Sequence, residues 1–357
     1  MKVAYCTGFW CTNIGNGFFS LGVEYVLKKI LGSENVTVVS DLQTYTTSYG
    51  KRLYTDPNQL EYISALDVDY IVLAGPVISR YFLTLWKDIL LKLKNRGIGY
   101  MILSAGIMKL SEQEREEIKA FFRQCPPYVL SSRDEMTYNQ FGKFATHAYN
   151  GICFSFFSPD FYSPSGLSEY SPYIIYNFDK INEPTICVSD SSEMTSSKSF
   201  EYEGQTYTIV YPDWLSKISA KTDRFTDALI YISSMLPVKK RKEQLGKYKL
   251  IRTDHRFHPH FRRKIYRQPN SYVADLPYGY LNLYANAELT LSDRIHACAV
   301  TLAYGNSAML FAKTDRIGLL GRVGAEGITD RPVKLDMVHL AEEKKRMVDW
   351  LNTVFSM

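Results

Sequence analysis

Residues 288–313 constrain the fold more than any other stretch of the chain, because they read as strand, turn, helix, turn, strand without a gap. Residues 289–291 form a short β run. Ser292 and Asp293 follow as candidate N-cap residues, whose side chains can accept from the first unpaired N–H groups of a helix. Ile295, Ala299, Val300, Leu302 and Ala303 then recur at helical spacing, Gly305 stops that helix, and residues 308–311 are again strand-like. Arg294 and His296 therefore fall in the first helical turn, where the helix dipole and its free N–H groups favour an anion. An isolated pair of this kind is more simply an exposed charge and a satisfied histidine. At a junction between strand and helix, where open α/β sheets bind their ligands, it is a candidate anion site.

At 357 residues the chain is long enough for two α/β domains of ordinary size. Its net charge of +5 is mild: it suits anionic small ligands or a nearby anionic membrane surface and does not argue for nucleic acid. The six cysteines (Cys6, Cys11, Cys125, Cys153, Cys187 and Cys298) form no C-x-x-C pair, which predicts reduced, packed thiols. The first residues enter a strand without the charged head and long apolar segment of a signal peptide, and no stretch has the length and apolarity of a membrane span. The expected location is cytoplasmic, with peripheral contact at the inner membrane surface.

The rest of the chain keeps the same βα rhythm. A strand at 3–6 leads into a loop rich in glycine and amides that includes Asn13, Gly15, Asn16 and Gly17, and a helix follows. This is a phosphate-cradling order of elements, without the spacing of a Walker A or G-x-G-x-x-G motif. Further strands are predicted at 36–40, 70–74, 99–104 and 128–131, and helices at 86–93, from the Ser111–Glu114 capping box onward, and after Arg133 and Asp134. Near-continuous apolar strands alternating with helices imply a parallel sheet covered on both faces, hence a Rossmann-like domain. Pro- and Ser-rich residues 158–172 mark the boundary to a second series that begins at 173–179. That series includes a hairpin turning at Glu203 and Gly204, a helix at 226–236, a strand at 248–251 and a last helix at 339–355. The division is residues 1–165, residues 166–335, and a C-terminal helix at 336–357 that packs back on the first domain.

The strand at 248–251 runs into a basic loop holding Arg252, His255, Arg256, His258 and His260. Pro259 breaks any regular helical face for the histidines and the arginines repel a cation, so this loop is expected to face an anion and no metal site is assigned. Arg252, His255 and Arg256 join Asn13, Gly15, Asn16, Gly17, Ser292 and Asp293 as candidate substrate-binding residues.

Two segments make the chain resemble the polysaccharide pyruvyl transferase family: the first strand into Asn13-Ile-Gly15-Asn16, and Leu291-Ser-Asp-Arg294-Ile-His296-Ala through to Lys313. Ser132-Arg133-Asp134-Glu135 and the run from Gly151 are also similar to the family pattern. The resemblance implies two Rossmann-like domains facing a cleft in the GT-B manner, the first on the acceptor side and the second on the donor side. It further implies transfer of pyruvate from phosphoenolpyruvate onto a sugar or a lipid-linked oligosaccharide, as a ketal across two hydroxyls, with no cofactor. The chain departs from the family in having Asn16 where an Asp is usual, and Ala74-Gly75-Pro76 where glycines are usual. An amide at position 16 does not take a proton from an acceptor hydroxyl.

The chemistry so implied requires a cationic cradle for two anionic groups and an acid for the donor methylene. His296 is expected to be that acid or a donor to phosphate, and Arg294 a forked clamp on phosphate or carboxylate; both are assigned as catalytic. Two alternatives share the architecture: a nucleotide-sugar glycosyltransferase, for which Glu326 is an available ribose ligand, and a non-catalytic carbohydrate-binding relative.

Overall fold

The computed structural model of the protein describes all residues except 9, 11–12, 42–57, 182, 190–197, 212–239, 256–267, 313 and 315. The expected helix at 226–236, and Cys11, Arg256, His258 and His260, lie outside the described residues. The first half alternates β1 (Val3–Thr7), α1 (Gly15–Leu31), β2 (Val36–Ser40), α2 (Asn58–Ser64), β3 (Tyr70–Ala74), α3 (Phe82–Asn95), β4 (Gly99–Ala105), α4 (Glu112–Gln124), β5 (Val129–Ser132), α5 (Glu135–Phe141) and β6 (His147–Asn150). The strands form one parallel sheet in the order β2-β1-β3-β4-β5-β6.

Burial explains the apolar runs. On β1, Val3 and Tyr5 pack with Val23 and Val26 of α1, while Ala4 and Cys6 face Leu90 of α3 and Phe122 of α4. Alternate residues thus meet different helical layers, so neither face of the strand is polar. The start of α4 follows its capping box: Ser111 Oγ accepts from Glu114 N at 3.2 Å, and Glu114 Oε2 accepts from Ser111 N at 2.7 Å. Helix α3 begins at Phe82 rather than at Trp86, because Phe82, Leu85, Trp86, Ile89, Leu90 and Leu93 form one buried stripe at helical spacing.

A short helix, α6 (Ser158–Phe161), ends the first series. The second contains β7 (Tyr173–Asn177), β8 (Thr185–Val188), β9 (Lys198–Tyr202), β10 (Gln205–Val210), β11 (Gln244–Leu245), β12 (Tyr248–Thr253), β13 (Ser271–Tyr272), α7 (Tyr278–Asn286), β14 (Leu289–Ser292), α8 (Ile295–Ala303), β15 (Ser307–Leu310) and α9 (Gly318–Gly321). Its main sheet runs β11-β12-β7-β14-β15, with β13 beside β12; β11 alone is antiparallel to its neighbour. β8, β10 and β9 form a separate antiparallel sheet. Its hairpin turns where φ is positive at both Glu203 (47°) and Gly204 (73°), as a type I′ turn requires. This small sheet covers one face of the main one, placing Phe200, Tyr207 and Ile209 against Ile174, Leu250 and Leu291.

The closing helix, α10 (Met337–Phe355), lies against the first sheet: Met347 and Leu351 join the cluster of Val3 and Tyr5, and Trp350 stacks on Tyr149 at 4.9 Å. Helix α1 is shared between the two halves. Phe19, Val23 and Val26 pack with the first sheet, while Ile14, Phe18 and Leu21 pack with Tyr173, Ile175 and Tyr284 of the second. A fully buried side chain of this size stabilises by about 1.5–3 kcal/mol. Among the described residues no helix is long and apolar enough to cross a membrane.

Candidate active site

β7 lies between β12 and β14, so strand order reverses at it, and three loops leave adjacent carboxyl ends there. The first carries Asp179 and Lys180, the second Asp254 and His255, the third Asp293 and Arg294. Buried amide and hydroxyl groups lock the strand ends together. Asn177 Nδ2 donates to Thr253 O at 3.0 Å, and Ser292 Oγ donates to Asn177 Oδ1 at 3.0 Å while accepting from Arg294 N at 2.8 Å. The Ser292 hydroxyl is therefore occupied by partners at the strand ends.

The predicted cap of α8 is corrected by the structure. Its N-cap residue is Arg294, and no side chain caps the helix. Asp293 instead turns toward the loop after β7, where Oδ2 accepts from Lys180 N at 2.6 Å and Ile181 N at 2.8 Å. Two backbone donors held by tertiary packing outcompete the local helix N–H groups. Burial, reinforced by Asp179, pushes the Asp293 carboxyl above its ordinary range.

Arg294 is buried, and its Nε donates to Asp179 Oδ1 while Nη2 has no partner among the described residues. His296 is buried beside the Phe19 ring, with Nε2 unpartnered among the described residues. Burial first, then the cations Arg133 and Arg316, hold its imidazole well below the ordinary histidine value. The expected near-neutral acid is thus held as a neutral imidazole by its surroundings. His255 is fully buried; Nε2 lies 2.6 Å from Tyr284 Oη and Nδ1 has no partner among the described residues. Burial pushes it down to about 3, against the pull of Asp179.

Three further groups were not singled out from sequence. Arg133, at the carboxyl end of β5, is buried, lies over the Phe19 ring at 5.8 Å, and leaves Nη1 unpartnered among the described residues. Lys180 is exposed at the rim, yet partial desolvation and then the repulsion of Arg294 and Arg316 lower it to about 8. Asp179 joins two of the loops, since its other oxygen accepts from His255 N at 3.0 Å. Only Arg133 stood in a segment noted for family resemblance; the others needed the fold to bring them in.

The segment leading into α1 also meets this cluster. Ile14 N donates to His255 O at 2.7 Å, and Asn13 Oδ1 accepts from Gly15 N at 3.2 Å. Asn13 Nδ2 reaches Asn16 Oδ1 at 3.4 Å. A methyl group on Gly15 would lie 3.1 Å from His255 Nδ1 and 3.2 Å from His296 Nδ1; one on Gly17 would lie 3.1 Å from Pro277. These glycines let α1 approach the second half closely, and the space beside Gly15 is bounded by the two imidazoles. Arg252 departs from the predicted group. It points to the opposite face of the sheet, where Nη2 pairs with Glu183 Oε1 at 2.9 Å and donates to Lys242 O at 2.7 Å. Glu326, the expected ribose ligand of the alternative, is exposed beside α9. Among the described residues no group of three His, Cys, Asp or Glu side chains is placed to hold a metal.

No curated protein matches the chain in sequence. In structure it is similar to a protein of Listeria monocytogenes described as a UDP-N-acetylglucosamine 2-epimerase, with 9% identity and a TM-score of 0.51 over 98% of this chain and 88% of that one. It is likewise similar to the UDP-GlcNAc 2-epimerase of Neisseria meningitidis bound to UDP-GlcNAc, with 10% identity and a TM-score of 0.50 over 99% and 93%. At such identities the likeness is one of fold, two Rossmann-like domains of the GT-B kind. A family model described as polysaccharide pyruvyl transferase matches residues 13–311, from the Asn13 loop to the strand that follows α8. The chain belongs to the polysaccharide pyruvyl transferase family.

Proposed function

We propose that this protein transfers pyruvate from phosphoenolpyruvate onto two hydroxyls of a sugar, free or lipid-linked, to form a ketal and release phosphate. One observation carries this reading: Arg133 Nη1 and His296 Nε2 beside Phe19, and Arg294 Nη2 and His255 Nδ1 on residues joined through Asp179, are buried without partners among the described residues. Unpaired buried donors are costly, and clustered ones of positive character are complemented by an anion. A donor bearing both a carboxylate and a phosphate matches that set.

The reaction begins with a proton delivered to the donor methylene, which places positive charge on the adjacent carbon. A sugar hydroxyl adds there and its proton restores the acid, the bond to phosphate breaks with its electron pair on oxygen, and a second hydroxyl closes the ring as its proton passes to the departing phosphate. Arg294 and Arg133 hold the anionic oxygens. His296, neutral while two cations face it, takes up a proton when the donor's negative charge offsets them, and is then an acid beside the methylene. Asn16, at the head of α1, contributes no carboxylate for the acceptor.

The test is phosphate release and product mass gain when the purified protein is given phosphoenolpyruvate with a panel of sugars and lipid-linked glycans. A thermal-shift panel runs beside it, since a bound ligand stabilises the folded state. Stabilisation by UDP- or GDP-sugars but not by phosphoenolpyruvate would overturn the proposal.

A further inference from the structure

The hydrogen bonds behind His255 run in one direction, and that direction decides which ring nitrogen carries the proton. Asn177 is oriented by a group that only accepts: its Nδ2 lies 3.0 Å from the Thr253 carbonyl oxygen and also 3.0 Å from Thr253 Oγ1. Its Oδ1 correspondingly accepts from Ser292. Thr253 Oγ1, having accepted from Asn177, has its own proton to place, and Tyr284 Oη is 3.2 Å away. Tyr284 then passes its proton toward His255 Nε2 at 2.6 Å. The opposite sense makes Thr253 Oγ1 a double acceptor and strands its proton in a fully buried site.

We propose that His255 is a neutral Nδ1–H donor to an oxyanion of the bound substrate, and that Tyr284 is the positioning residue that sets its tautomer. Nδ1 is buried and lacks a partner among the described residues. It and His296 Nδ1 face the same point, since a single methyl on Gly15 would touch both, at 3.1 and 3.2 Å. The ring packs steeply angled against Phe18, Tyr280 and Tyr284, with centroids 5.5, 5.7 and 5.8 Å away. That packing disfavours the charged form, in line with a value pushed down to about 3 although Asp179 pulls it upward. A fixed neutral donor beside Arg294 adds direction without adding another positive charge to a crowded cationic site. The oxyanion is a carboxylate or phosphate; its identification with phosphoenolpyruvate rests on the function proposed above.

The experiment is a long-range 1H–15N spectrum of the full-length protein labelled in histidine, with His255 assigned by His255→Gln. Wild type is expected to show a protonated Nδ1 and a bare Nε2, and Nδ1 shifts when inorganic phosphate or phosphoenolpyruvate is added. Tyr284→Phe, and to a smaller degree Thr253→Val, moves the proton toward Nε2. Tyr284→Phe raises KM for phosphoenolpyruvate about tenfold or more, with kcat changed less, as expected for a donor that holds ground and transition states alike. A wild-type Nε2–H form, a tautomer unmoved by Tyr284→Phe, or an Nδ1 signal unmoved by both anions overturns the proposal. If phosphate shifts Nδ1 and phosphoenolpyruvate does not bind, the oxyanion donor stands and the pyruvyl-donor function falls.

Discussion

Asp179 grips Arg294 through Nε alone and leaves Nη2 of the same guanidinium buried and unpartnered among the described residues. The carboxylate thereby fixes the plane of the fork while its outer edge faces the site. Arg294→Ala is expected to weaken phosphoenolpyruvate binding by roughly 2–5 kcal/mol, the scale for truncating one partner of a buried charge pair. Arg294→Lys should not rescue, because an ammonium has no second, rigidly placed donor. Calorimetric titration with the donor measures both, and a lysine variant of wild-type affinity would refute the fork.

His296 is neutral before the donor arrives, so binding should draw a proton from solution. Above the second ionisation of the donor phosphate, near pH 6, that proton is not consumed by the ligand itself. Titrations at pH 8 in buffers of different ionisation enthalpy should show uptake of up to one proton in wild type and none in His296→Gln. The variant should also release no phosphate from the donor.

Acid should destabilise the fold through both buried histidines. In the unfolded chain they protonate as pH falls through about 6.5. In the folded protein His255 does so only at about 3, and His296 is also held well below its ordinary value. Between those limits the unfolded chain binds more protons, so stability drops as pH falls from 7 toward 4, by up to about 1.4 kcal/mol per pH unit for each histidine. Denaturant midpoints across that window give the slope, and His255→Gln should make it shallower.

Two glycines on α1 separate site from scaffold. A methyl on Gly15 meets the two histidines at 3.1 to 3.2 Å, whereas one on Gly22 would lie 2.1 Å from the Phe154 carbonyl oxygen. Gly15→Ala is expected to lower turnover with little loss of stability. Gly22→Ala should cost about 1–3 kcal/mol or more by overpacking. Tm and phosphate-release assays on the pair check this, and equal losses in both would refute it.

Arg252 and Glu183 form a buried pair on the sheet face away from the site. Glu183→Gln leaves the guanidinium buried without a counter-charge, at an expected cost of about 3–5 kcal/mol in stability. Donor affinity of the folded fraction should be unchanged. A loss of affinity without a loss of stability would return Arg252 to the substrate cradle.

Much of this was legible in the order of residues, and the failures have a common cause. Ser111 with Glu114 and Glu203 with Gly204 act through partners a few residues away, so their capping box and hairpin turn could be read directly. Asp293 departs from the cap its sequence position suggests because its partners, the N–H groups of Lys180 and Ile181, are distant in sequence. Arg252 and His255 are neighbours in one basic run, yet strand alternation sends Arg252 to the far face. Arg133 and Asp179 belong to different sheets, and only folding sets both near the Arg294–His296 helix start.

The sharing of α1 bears on how such proteins can be recombined. A chimera cut in the connecting segment 162–172 would carry a foreign second half onto this α1, leaving Ile14, Phe18 and Leu21 against surfaces they did not evolve with. It would also replace the backbone acceptor of Ile14 N at the position of His255. The second half is therefore portable only together with the helix that starts at Gly15, two pieces of chain separated by most of the first sheet.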